Sequence, residues 1–128
     1  MAVRAAVYER DGNRCVACGA ERPLEFQHRR AEGMGGRLHF PTVAEGLTVC
    51  SVDNAAFEGH LQTMALLSGW KVRGWVRDQT QVPVWYGPER RWCRLTPDGR
   101  RVPISKRRAV RMMHDVYGQE WDEWRLVA

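Results

Sequence analysis

The sequence predicts an α+β fold: a helix, a small strand–strand–helix unit braced by a zinc knuckle, and an antiparallel sheet with a closing helix. Three observations predict it. Short alternating apolar runs bounded by Gly, Pro, Asn and Asp recur in both halves of the chain. Apolar residues at helical spacing occur near the two ends and after Cys50. Cys15 and Cys18 flank a tight turn, and Cys50 stands where a third thiolate can return to the same ion. At 128 residues, with 44% hydrophobic residues and six Trp, the chain suffices for one core and is short for two. Residues 1–70 and 71–128 are therefore expected as two units sharing a core, with no internal repeat.

Good helix formers over 2–10, with Val3, Ala6 and Val7 on one side, predict a first helix ended by Asp11-Gly12-Asn13. Leu24-Glu25-Phe26-Gln27-His28 alternates as a strand, with Leu24, Phe26 and His28 on one face. A loop containing Gly33, Gly35 and Gly36 leads to a second strand, Leu47-Thr48-Val49-Cys50. Phe57, Leu61, Met64 and Ala65 predict a single helix over 54–68, stopped by Gly69. Beyond it, 71–76 is strand-like, and 82–86, 91–95 and 101–104 form three short strands separated by Gly87-Pro88 and Pro97-Asp98-Gly99. Ser105 is a suitable N-cap for a helix over 106–117, which Gly118 stops. The residues after it are expected as an acidic tail.

The cysteines carry the first chemical expectation. Two thiolates in Cys-x-x-Cys spacing, with Cys50, suit a tetrahedral zinc at about 2.3 Å from each sulfur. The position three after Cys50 is Asp53 rather than a fourth cysteine. Asp53, His60 or a water could complete the site. Cys93 is an outside candidate, more simply a core residue of its strand, and the three knuckle thiols could themselves be packed as small hydrophobes.

Arg10 through Gly19, then Phe26-Gln27-His28-Arg29-Arg30, Gly33-Met34-Gly35-Gly36, Leu47-Thr48-Val49-Cys50 and Asn54 form an ordered set. It resembles the HNH endonuclease family in the compact form common in actinobacterial viruses and their hosts. The resemblance spans roughly residues 8–70 and implies a ββα-metal (HNH-like) unit. It also implies roles. His28 would be the general base on water, and Asn54 a ligand of a catalytic Mg²⁺ or Mn²⁺ with Gln27 beside it. Arg29, Arg30 and Arg37 would contact phosphates. The sequence departs from the pattern at Gln27, where Asp or His is common, and at Gly46, near the place of the middle Asn. Because Mg²⁺ favours carboxylates, Glu58 or Asp53 could supply one. Asn54 could equally cap its helix, and His28 could be an ordinary strand histidine.

A net charge of +5, with Arg at eighteen of the twenty basic positions, favours an anionic partner. Nine basic and two acidic residues between Glu89 and Arg111 give that window a net +7. Lys106, Arg107, Arg108 and Arg111 in it are candidate nucleic-acid contacts. His39 and His114 are expected to be ordinary, and the tryptophans to serve mainly as core. No stretch is apolar for long enough to span a bilayer and no apolar leader opens the chain, so a soluble protein of a bacterial cytoplasm without membrane partners is expected. The functional expectation is a metal-dependent endonuclease acting on DNA. Its alternative is a catalytically degenerate module that binds nucleic acid or a host protein.

Overall fold

The computed structural model describes residues 2–30 and 41–128 and shows a mixed α+β chain. Helix α1 (Ala2–Arg10) is followed by strands β1 (Leu24–His28) and β2 (Gly46–Cys50), which pair antiparallel from Leu24–Cys50 to His28–Gly46. This two-stranded sheet is covered on both faces. Thr48 Oγ1 donates to the Val7 carbonyl of α1, and its partner Phe26 lies under the Arg4 guanidinium, so Phe26, His28 and Thr48 face α1. Leu47 and Val49 face the other way and enter the main core with Phe57 and Trp70, which stack at 5.2 Å.

A buried ion pair ties α1 to the sheet. The Asp11 carboxylate accepts from Arg10 Nε at 2.8 Å, the Thr48 amide at 3.0 Å and the Tyr86 hydroxyl at 2.7 Å. Arg10 also donates to the Val43 and Gly46 carbonyls, both at 2.8 Å. With every partner satisfied, the pair fixes the register of three segments. Burial and the Asp11 carboxylate push the Tyr86 hydroxyl well above its ordinary value, so it acts as a donor.

The helix expected over 54–68 is two helices, α2 (Ser51–Ala56) and α3 (Gln62–Leu67). Between them the Leu61 amide reaches back to the Ala56 carbonyl, a wider turn than the α-helical one, across Gly59. The strand expected over 71–76 is also absent: its pairing is one parallel bridge, Arg30 with Val72. Strands β3 (Val84–Tyr86), β4 (Arg91–Leu95) and β5 (Arg101–Ile104) form an antiparallel sheet in that order. Helix α4 (Lys106–Tyr117) begins where expected, with the Ser105 hydroxyl accepting the Arg108 amide. The residues expected as a tail instead form helix α5 (Gln119–Val127), which buries Trp121 and Trp124.

The main core draws Val16, Leu47, Val49 and Phe57 together with Val84, Tyr86, Cys93 and Leu95. A second cluster joins Leu66, Val72, Val76 and Val82 to Met113, Tyr117, Trp121 and Trp124. Cys93 is a buried core thiol. Trp75, at 60% exposed, departs from the general core role of the tryptophans. Among the described residues no helix is long and apolar enough to cross a membrane.

Candidate functional site

Two sites adjoin the β1–β2–α2 corner. The first is the cysteine cluster. The Cys15–Cys18 segment folds into a knuckle, with the Gly19 amide bonded to the Cys15 carbonyl and the Cys15 amide to the Ala20 carbonyl. The Val16 amide bonds the Thr48 carbonyl, docking the knuckle on β2. Cys50 ends β2 and caps α2, its sulfur accepting the Asp53 amide at 3.4 Å. Ligand atoms of Cys15, Cys18, Cys50 and Asp53 all lie within 4.8 Å of one another, close enough to hold a metal ion. Exposed His60 is not in this group.

Cys15 Sγ donates to Asp53 Oδ2 at 3.2 Å, and Cys18 and Cys50 sulfurs stand 3.8 Å apart. Burial pushes the Cys15 thiol up, and burial with the neighbouring Asp53 and Cys15 pushes Cys18 up to about 12. Thiols so raised stay protonated on their own; a dication is the charge that would make them thiolates.

The second site is a cleft of about 520 Å³ along β1 and the start of α2, whose walls include Glu25, His28, Arg30, Asn54, Glu58 and Lys71. Asn54 lies inside α2, while the capping position belongs to Cys50. Its Nδ2 donates to Glu25 Oε1 at 2.6 Å, bridging helix and strand. Lys71 Nζ pairs with Glu58 at 2.6 Å. His28 is half-buried, its ring edge-on to Phe26 at 5.2 Å.

No known family model, curated protein or solved structure matches this chain. The roles of its residues must therefore be read from where they lie.

That placement corrects several expectations. The strand residues facing α2 are Glu25 and Gln27; strand alternation puts His28 with Phe26, so its ring meets the cleft from the other side of β1. Gln27 lines the cleft but is only 2% exposed, and its Nε2 donates to the Trp70 carbonyl at 2.6 Å. That bond braces the interior through Nε2, while Oε1 has no hydrogen-bond partner among the described residues. Gly46, opposite His28, has Phe26 lying against it, and a Cβ there would collide with the ring. No side chain can stand at that position without moving Phe26.

Arg29 differs most from expectation. It is 0% exposed, and its guanidinium donates to four backbone carbonyls: Gly69 at 2.9 Å, Val82 at 2.8 Å, Gln79 at 3.0 Å and Ala44 at 3.3 Å. Burial, with the Arg10 charge adding to it, lowers this group to about 10, still well above neutrality, so it remains charged. With no exposed surface and its fork spent on carbonyls, it is closed to an external phosphate. Arg30 lines the cleft, with Nη1 on the Val76 carbonyl at 3.0 Å. Arg37, His39 and the glycines at 33, 35 and 36 lie outside the described residues. Lys106, Arg107, Arg108 and Arg111 are exposed on α4. Sequence reasoning passed over Glu25 and Lys71. Glu25 had one available signal: alternation puts it on the face opposite His28, three residues ahead of it.

Proposed function

We propose that the chain is an HNH-type, metal-dependent endonuclease that hydrolyses nucleic-acid phosphodiesters, with a structural zinc on Cys15, Cys18, Cys50 and Asp53. The observation that carries the reading is the cleft that His28 enters from β1 and Asn54 from α2, beside the cations Arg30 and Lys71. In it His28 takes a proton from the attacking water as general base. Asn54 spends its amide N–H on Glu25 and keeps its carbonyl oxygen for a divalent ion. Glu25 and Glu58 supply the carboxylate character that Gln27 lacks. A Mg²⁺ or Mn²⁺ bound there would stabilise charge on the phosphoryl and leaving oxygens. Arg30 and Lys71 offer phosphate contacts, Lys71 by exchanging its Glu58 partner for phosphate.

Zinc is favoured for the cysteine cluster by donor type and by spacing. Three thiolates and a carboxylate form a borderline-soft set, and a tetrahedral site with zinc–sulfur bonds of about 2.3 Å needs sulfurs roughly 3.8 Å apart. Cys18 and Cys50 stand at 3.8 Å. The ion's work is mechanical: it holds the knuckle, the end of β2 and the start of α2 as one corner, which fixes Asn54 relative to β1.

A plasmid-nicking assay with Mg²⁺ or Mn²⁺ tests the reading. Cleavage that needs added divalent ion and is lost in His28→Ala and Asn54→Ala is expected. A second reading, a binding module without cleavage, is favoured by the engagement of Gln27 with Trp70 and of Asn54 with Glu25. Retained DNA binding with no nicking in either ion would select it. Elemental analysis is expected to give one zinc per chain.

A further inference from the structure

A second cleft, sharing no residue with the first, lies between β4, α4 and the Gln79–Gln81 turn. It measures about 500 Å³, and three arginines, Arg94, Arg108 and Arg111, line it together with Thr80, Gln81 and a single acid, Asp115. Five arginines elsewhere on the surface are neutralised: Arg14 and Arg101 on Glu89, Arg73 on Glu120, Arg100 on Asp98, Arg125 on Asp122. Among the described residues the side chains of Arg94, Arg108 and Arg111 make no ion pair, hydrogen bond or ring contact. Arg94 Nε is buried without an acceptor, so packing rather than a counterion holds that guanidinium. The first turn of α4 contains no acid, although its Lys106, Arg107 and Arg108 oppose the helix dipole. Three unpaired cations converging on one concavity that holds a single carboxylate leave an unmet demand for negative charge.

We propose that this cleft is a phosphate-binding site that holds the sugar–phosphate backbone of a nucleic acid, a second anchoring point remote in sequence from the hydrolytic cleft. It rests on the reading that the ligand is nucleic acid, but not on cleavage. Planar guanidinium groups bind phosphodiester oxygens in pairs, and no base edge need be read; at the rim Thr80 donates to Asp78, and the second amide hydrogen of Gln81 can add a neutral donor. Binding here is sequence-independent and strongly salt-dependent. Asp115 works against the ligand and limits its residence.

The test measures binding of a labelled duplex to the full, zinc-loaded chain by fluorescence anisotropy over a salt series, without added Mg²⁺ or Mn²⁺. Each phosphate contact contributes about 0.9 to the slope of log affinity against log salt, so Arg108→Ala/Arg111→Ala should lower the slope by roughly 2. Arg77→Ala/Arg91→Ala, which removes the same charge from exposed positions outside the cleft, should leave it unchanged. Asp115→Asn should tighten binding roughly twofold to fivefold, a gain that misfolding cannot mimic. Equal effects of the two double variants, absence of tightening in Asp115→Asn, or no duplex binding at low salt would each overturn the proposal. If wild-type protein nicks no plasmid in either ion while the difference between the double variants persists, the nuclease reading fails and this site stands.

Discussion

Arg29 shows how one side chain can look like a ligand contact in sequence and be a beam in the fold. Its fork reaches carbonyls from residues 44, 69, 79 and 82, four points that no neutral side chain could join at once. Gly69 makes this possible: with φ at +76° and its Cα packed against the Pro83 carbonyl, it has no room for a Cβ and presents its own carbonyl to the guanidinium. Nothing in His-Arg-Arg distinguishes the inward arginine from the outward one except alternation beyond the end of a strand, where alternation weakens. Arg29→Met is expected to cost about 3–5 kcal/mol in urea unfolding, because it strands buried carbonyls along with removing the charge. Arg29→Lys should recover little, since one ammonium cannot span the fork. A variant that unfolds like wild type but loses DNA affinity would contradict this role.

At the scale of elements, the clearest signals in the sequence were those set by local chemistry. The first helix, β1, the β3–β4–β5 strands and the Ser105-capped helix begin and end within a residue or two of expectation because turn residues and a cap mark their ends. What failed depended on tertiary packing. Phe57, Leu61 and Ala65 keep helical spacing on average, but the chain turns wider at Gly59 to bring Phe57 onto Trp70, which periodicity cannot register. Gly118 does stop α4, but the acid-rich residues after it become α5 because Trp121 and Trp124 have a cluster to enter. The cysteine corner is legible as spacing, and Asp53 as the position, three after Cys50, where a second Cys-x-x-Cys would end. Glu25 and Asn54 were not legible as a pair, since their contact joins strand to helix over 29 residues of separation. If that corner is metal-braced, chelation should destabilise it selectively. EDTA or Cys50→Ser is expected to lower the melting temperature and to speed hydrogen exchange in the knuckle and α2 before the β3–β4–β5 sheet. Unchanged melting after verified metal removal would rule the brace out.

For the molecule as a whole, the question is what makes the two halves one folding unit. One tie is exposed: Glu89 accepts from Arg101 of β5 at 2.7 Å and from Arg14, beside the knuckle, at 3.3 Å, while Arg101 lies 4.3 Å from the Tyr86 ring centre. The hydrogen bonds from Arg101 hold the Glu89 carboxyl below its ordinary value, with Arg14 assisting. Its contribution is therefore complete above the usual carboxylate range and lost as pH falls through the depressed value. With both sides partly exposed, solvent screening keeps it below about 1 kcal/mol. Urea melts of wild type and Glu89→Gln should differ slightly at pH 7 and converge toward pH 3. The interior ties are far stronger. Val84, Tyr86, Cys93 and Leu95 complete the core that Val16, Leu47 and Phe57 begin; Tyr86 donates to Asp11; two of the Arg29 acceptors lie at residues 79 and 82. A chain ending at residue 70 would expose the apolar face of β2, leave Asp11 short of a donor and strand part of the Arg29 fork. Even zinc-loaded, the 1–70 fragment is expected to lack a cooperative thermal transition and dispersed amide resonances, while the full chain unfolds in a single step. A fragment that folds cooperatively would mean that the knuckle and its two strands carry their own core, and that the second half is an appendage rather than the other side of one interior.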